Sequence, residues 1–180
     1  MRTDYLSWDY AFFGIAFMAA MRSKDPSTQC GACIMRNNRP LGWGYNGLII
    51  GFEDNDEIWE SEEKKKWIFH AERNAIANSV KAGVSSFKDS ELFIWSSSPS
   101  RVHLPCADCA RTIAQYEIPV VNIMATPELI EKNDFVDIRW GTDISLEVLK
   151  RCGTEVRIHS SEAVNGAIMK VAMNKLDKNV

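Results

Sequence analysis

The chain has 180 residues, 46% hydrophobic and 25% charged, with a net charge of −3 at neutral pH. That length suits one domain over residues 1–180, with a core from about 7 to 159 and a C-terminal helix from about 161 to 176. The acidic balance, and the lack of a basic stripe interleaved with aromatics, argue against nucleic acid or a membrane surface as partner.

The apolar run YAFFGIAFMAAM, residues 10–21, is too short to span a bilayer. Asp4 and Asp9 spoil the basic leader of a signal peptide, and no clean A-x-A site follows. The run predicts a buried helix from about Ser7 to Arg22, with Phe13, Phe17, Ala20 and Met21 facing inward. SKDPSTQ (23–29) is a loop, CGACIM a strand, NNRP a turn and LGWGYN the returning strand. The acidic stretch from Glu53 to Glu63, followed by Lys64, Lys65 and Lys66, reads as a solvated face beside a helix. A helix should begin near His70 and end before Gly83. LFIWS (92–96) follows as a strand, then a helix from Cys106 to about Tyr116 and the strand VVNIMA. Thr142 or Asp143 can cap a helix stopping at Gly153, before the strand TEVRIH and a last helix from Ser161 to Leu176. Helices alternating with strands predict an α/β fold, and the opening hairpin makes its sheet mixed.

Five cysteines, an odd number with two C-x-x-C pairs, suit reduced thiols in a cytoplasm better than a secreted disulfide scaffold. Cys106 and Cys109 are three apart behind Pro105, at a helix start that favours thiolates. Two thiolates do not fill a tetrahedral metal shell. Cys30 and Cys33 could close it as a structural zinc knot, whereas His70 would leave one position open. The first pair is 72 intervening residues away and sits in a strand, where residues three apart point to opposite faces. Cys30, Cys33 and Cys152 therefore read as small buried residues. His159 has no partner visible in sequence.

His70, Cys106 and Cys109 would leave one position for water on Zn2+, with Glu72 nearby to accept and return protons. The order H-x-E then P-C-x-x-C fits hydrolytic deamination of a base.

Four blocks, RSKDPSTQCGACI (22–34), GYNG (44–47), HAERNAI (70–76) and PCADCARTI (105–113), resemble the deoxycytidylate deaminases of the zinc-dependent cytidine deaminase superfamily. The likeness runs from about Trp8 to Ile158. The zinc motif alone is shared with tRNA adenosine, guanine and free-base cytosine deaminases; Asn74 and GYNG favour a nucleotide-level pyrimidine deaminase. The resemblance implies a three-layer α/β/α cytidine deaminase-like fold with a five-stranded mixed sheet. It makes His70, Cys106 and Cys109 the zinc ligands and Glu72 the proton shuttle. Groups near Ala71 and Ser97 would read the cytosine edge, and Asn46 would bind the deoxyribose. The loop bordering the phosphate would offer Ser23, Lys24, Ser27 and Thr28. The implied reaction is dCMP to dUMP, supplying thymidylate synthesis. A homo-oligomer, with a hexamer favoured, and dCTP or dTTP effectors near Gly44, Tyr45, Asn46 and Gly47 are also implied, with Mg2+ accompanying a triphosphate.

Two features depart from the family pattern. SSSPSRVHLPC inserts about seven residues before the metal motif, which could bring Ser98, Arg101 or His103 over the pocket and shift specificity toward a triphosphate or ring-modified nucleotide. Cys30 replaces a common valine and is expected to be neutral packing. His103 stands three residues before Cys106 but is not needed as a ligand. The alternatives are a related zinc deaminase acting on dCTP, a free nucleoside or guanine, or a non-catalytic zinc-stabilised nucleotide sensor.

Overall fold

A computed structural model describes residues 3–61, 63–98, 103–132, 137 and 141–176, the side chains of 174–176 excepted. Helix α1 (Trp8–Ala20) starts where the Ser7 hydroxyl accepts the Tyr10 N–H. It buries Phe12, Phe13, Ala16, Ala19 and Ala20, whereas Met21, expected inward, lies past the helix end and is exposed. Strand β1 (Cys30–Arg36) and strand β2 (Arg39–Tyr45) form the expected hairpin. Asn37 and Asn38, both at positive φ, make its tight turn.

The connection read as one polar stretch contains four short elements. They are β3 (Gly47–Leu48), α2 (Asp56–Glu60), α3 (Lys64–Trp67) and β4 (Ile68–Phe69), and β3 pairs with β4 in a small sheet of its own. Helix α4 (Ala71–Lys81) ends at Gly83, whose positive φ suits the turn out of a helix. Strand β5 (Glu91–Ser96), α5 (Ala107–Gln115) and β6 (Val120–Ala125) follow. A short helix α6 (Pro127–Lys132) stands where a loop was expected. Helix α7 (Thr142–Arg151) is preceded by Gly141 in the left-handed region, so neither Thr142 nor Asp143 is its N-cap. Strand β7 (Glu155–Ser160) and α8 (Ser161–Leu176) complete the order.

The main sheet runs β2-β1-β5-β6-β7, antiparallel across β2, β1 and β5 and parallel from β5 to β7. One face packs on α4, α5 and α7 around Ile34, Leu92, Ile113, Val121, Ile123 and Leu149. The other packs on α1 and α8 around Phe13, Cys33, Phe93, Met124 and Val164. The helices thus form two layers about the mixed sheet, as the cytidine deaminase-like fold requires. No described helix is long and apolar enough to cross a membrane.

Strand β2 lies against α4 closely enough to require glycine. A Cβ on Gly44 would overlap the Ala75 amide and stand 2.8 Å from the Ala71 carbonyl oxygen. Asn74 and Asn78 of α4 also donate to the carbonyls of Tyr45 and Trp43 on this edge strand. Gly44→Ala is therefore expected to destabilise the protein by about 1–3 kcal/mol and to displace the helix carrying Glu72. Denaturant unfolding checks this; unchanged stability would contradict it.

His159, without a visible partner in sequence, packs edge-on against Phe13. Asn122 donates to Glu91, leaving its Oδ1 to accept from His159 Nε2 at 3.0 Å. Burial is the main cause lowering the His159 pKa, with Arg157 adding to it and Asp9 and Glu91 opposing. The unfolded chain then binds a proton that the folded one refuses. Stability present above pH of about 6.5 is lost as pH falls from there through the folded pKa. Melting temperatures should fall from pH 7 to pH 5, less steeply in His159→Gln. An identical slope in that variant would remove His159 from the account.

Candidate active site

Two helix N-termini converge on the chemical centre. His70 is the residue before α4 and Cys106 the residue before α5, both in extended conformation. Pro105 thus lies just outside the helix. Neither side chain caps its own helix, and both point instead toward a common centre. His70 Nδ1 is 3.5 Å from Cys106 Sγ and 3.5 Å from Cys109 Sγ. One ligand atom from each residue lies within 4.8 Å of the others. Tetrahedral zinc, with bonds of about 2.0–2.3 Å, places such donors roughly 3.6 Å apart. The donor set and spacing fit Zn2+.

The unlike environments of the thiols strengthen that fit. Hydrogen bonds from Cys109 and His70 hold Cys106 down at about 4 against the penalty of burial. Cys109 is pushed up, first by its bond with Cys106 and then by burial. The pair gives up one proton readily and the second with difficulty, and a divalent cation can take the second proton's place. Hydrogen bonding to Cys106 raises the His70 pKa. Glu72, in the first turn of α4, is buried, and burial is the main cause raising its carboxyl pKa, opposed by His70.

Cys30 and Cys33 do not approach this cluster as a pair. Cys33 packs on the α1 face and donates to the Phe12 carbonyl at 3.3 Å, while Cys30 faces the opposite side. Burial pushes Cys30 up to about 11 and Cys33 up to about 12. Cys30 is more than packing: it lines the pocket, with Sγ 3.4 Å from Ser96 Oγ. Cys152, expected buried, is exposed.

The cluster opens into a cavity of about 370 Å³ that also contains Ser27, Thr28, Asn46, Ala71 and Glu72. Six expected substrate or effector residues fall outside its lining, Tyr45 and Gly47 among them. Ser23 donates to the Asn46 carbonyl at 2.8 Å, and Lys24 pairs with Asp54 at 2.7 Å. Ser97 binds Gln29 through both its N–H and its hydroxyl. Gly44 is buried against α4. Asn46 does line the pocket, but its amide already works for the fold. It donates to Thr28 O and Asp25 Oδ2 and accepts from the Cys30 N–H, leaving one oxygen lone pair. Ser98 and His103, from the inserted loop, line the wall, while Arg101 lies outside the described residues. The Ser98 carbonyl accepts from His103 Nε2 at 2.8 Å, so that ring is a wall element.

Sequence reasoning missed Asp25, Lys64, Lys65 and Ser96 in the lining. Lys64 is the clearest case. Its ammonium turns inward to Asp25 Oδ1 at 2.9 Å and Ser27 Oγ at 2.7 Å, and its side chain is only 13% exposed. The charge run had suggested a solvated face, and the partner lies 39 residues away in the chain.

Residues 6–125 match the family model described as "Cytidine and deoxycytidylate deaminase zinc-binding region". Deoxycytidylate deaminases of Pongo abelii and Mus musculus are each 37% identical over 131 residues, 69% of this chain and 68% of theirs. The apo crystal structure of dCMP deaminase from the cyanophage S-TIM5 superposes with a TM-score of 0.61 at 23% identity. It covers 88% of this chain and 100% of that one, and shows the shared fold. With His70, Cys106 and Cys109 gathered inside the matched segment, the chain belongs to the cytidine and deoxycytidylate deaminase family.

Proposed function

We propose that this chain is a zinc-dependent hydrolase converting dCMP and water to dUMP and ammonia. The observation that carries the reading is a buried carboxylate, Glu72, in a pocket lined by His70 and Cys106, whose donors converge with that of Cys109. A zinc ion held by His70, Cys106 and Cys109 supplies Lewis acidity and a nucleophile from water near neutral pH. The chain's own part is to move protons. Glu72 accepts a proton from the attacking water, delivers it to N3 of the cytosine ring, and passes the second to the exocyclic amine. At C4 a carbon–oxygen bond forms and the carbon–nitrogen bond breaks. Burial raises the Glu72 pKa and so makes the protonated form easier to reach on this return trip.

Ala71 and Ser96 line the cavity, and Ala71 would border the base edge with Ser96 serving in place of Ser97. The remaining Asn46 lone pair suits a deoxyribose hydroxyl. Kinship with the two mammalian deoxycytidylate deaminases supports the substrate, as does the cyanophage family member's structure in complex with dCMP and dUMP. The reaction belongs to a reduced cytoplasm, supplying dUMP for thymidylate. A homo-oligomer, with a hexamer favoured by the family resemblance, would cover some of the exposed Trp8, Trp43 and Ile50. Effector binding by dCTP or dTTP, with Mg2+ on the triphosphate, would have to use Tyr45 and Gly47, because Gly44 is covered by α4.

Turnover of dCMP, dCTP, CMP, deoxycytidine, cytosine and guanine by zinc-loaded protein tests this reading. dCMP should give the highest kcat/KM. Preference for dCTP or deoxycytidine would overturn the substrate, and no ammonia from any of them would overturn the enzyme.

A further inference from the structure

Lys24 and three consecutive lysines, Lys64, Lys65 and Lys66, stand in different electrical situations. Lys24 is paired with Asp54 and Lys66 with Glu63. Lys64 is spent on the buried Asp25, which also accepts the Ser27 N–H at 2.9 Å and an Asn46 amide N–H at 3.3 Å. Lys65 lines the same cavity and, among the described residues, has no ion pair or hydrogen bond. Among the described residues, its ammonium is the one of the four without a carboxylate.

The charge balance along the cavity follows from these pairings. Asp25 and Lys64 cancel. Cys30 lines the same cavity as Glu72 and the paired Asp25 and Lys64. Lys65 leaves the paired end with a net positive charge beside the Thr28 and Ser27 hydroxyls. A flexible ammonium at a pocket mouth suits a compact dianion such as a phosphate monoester. Lys64, Asp25 and Ser27 are tied to one another by hydrogen bonds.

We infer that Lys65 is the specificity-determining residue that recognises the substrate's 5′-phosphate, and that Lys64 is a positioning residue holding the loop from Asp25 to Thr28. The inference rests on the nucleotide reading above and assigns phosphate selection away from Lys24. Each lysine then predicts a separate effect. Lys65→Met keeps most of the apolar stem and removes the charge. It should weaken dUMP about tenfold or more, change deoxyuridine less than twofold, and raise KM for dCMP with kcat within twofold. Lys65→Arg should restore most of the dUMP affinity. Lys64→Met strands the Asp25 carboxylate, so it should lower the melting temperature and weaken dUMP and deoxyuridine alike.

The test is calorimetric titration of zinc-loaded wild type, Lys65→Met, Lys65→Arg and Lys64→Met with dUMP and deoxyuridine, beside steady-state kinetics with dCMP. Selective loss of dUMP affinity in Lys65→Met, rescued by arginine, supports the assignment even if dCMP is not turned over. That combination would sink the activity and leave the phosphate site standing. Wild type binding dUMP and deoxyuridine equally, or Lys65→Met binding dUMP as wild type does, overturns the assignment whatever the turnover.

Discussion

Glu72→Gln should lower kcat for dCMP by about 10²–10⁴-fold while leaving zinc content at one per chain. Glutamine keeps the shape and hydrogen-bonding reach of the carboxylate but cannot accept a proton from water or return it to a leaving amine. Folding should survive. The carboxylate is buried and its charged form disfavoured there, so a neutral amide removes a desolvation cost. Metal analysis, melting temperature and steady-state kinetics on one preparation separate these effects. A kcat within tenfold of wild type, with zinc bound, would remove Glu72 from proton transfer.

The second large effect is expected from Cys109→Ala. Cys109 is fully buried, and its sulfur is one of three protein donors. Outer-shell changes at metal sites cost roughly 10–100-fold in affinity, so losing a ligand should cost more than about 100-fold. The variant should be isolated with far less than one zinc and without measurable deamination. Cys33→Ala is the informative control, because that sulfur lies on the opposite face of the sheet against α1. It should retain full zinc, with any loss confined to stability. Equal zinc in Cys109→Ala and wild type would show that the ligand set is wrong.

Short-range signals made much of this molecule legible. Ser7 begins α1, His70 stands immediately before α4, and Ser161–Leu176 forms the last helix, as periodicity and end signals indicate. The gathering of His70, Cys106 and Cys109 was legible because H-x-E and P-C-x-x-C are local patterns at helix starts. The pocket mouth was not. Lys64 looks like its neighbours in a lysine run, and only the fold brings buried Asp25 to it. Lys24 sits in the expected phosphate loop but turns to Asp54. Gly44 falls in the expected returning strand, whereas its constraint, the backbone of α4 pressing on β2, is not visible in the sequence. Cys30 looks like core because its strand is central, yet that strand begins at the cavity. In each case the deciding partner is distant in the chain.

The central claim is that this pocket adds water to the cytosine ring and releases ammonia, and oxygen labelling tests it most directly. Zinc-loaded protein incubated with dCMP in H₂¹⁸O should yield dUMP carrying one ¹⁸O at position 4, with one ammonia per dUMP. Glu72→Gln should form the same product far more slowly. Unlabelled dUMP, or none from protein holding a full complement of zinc, would contradict the account.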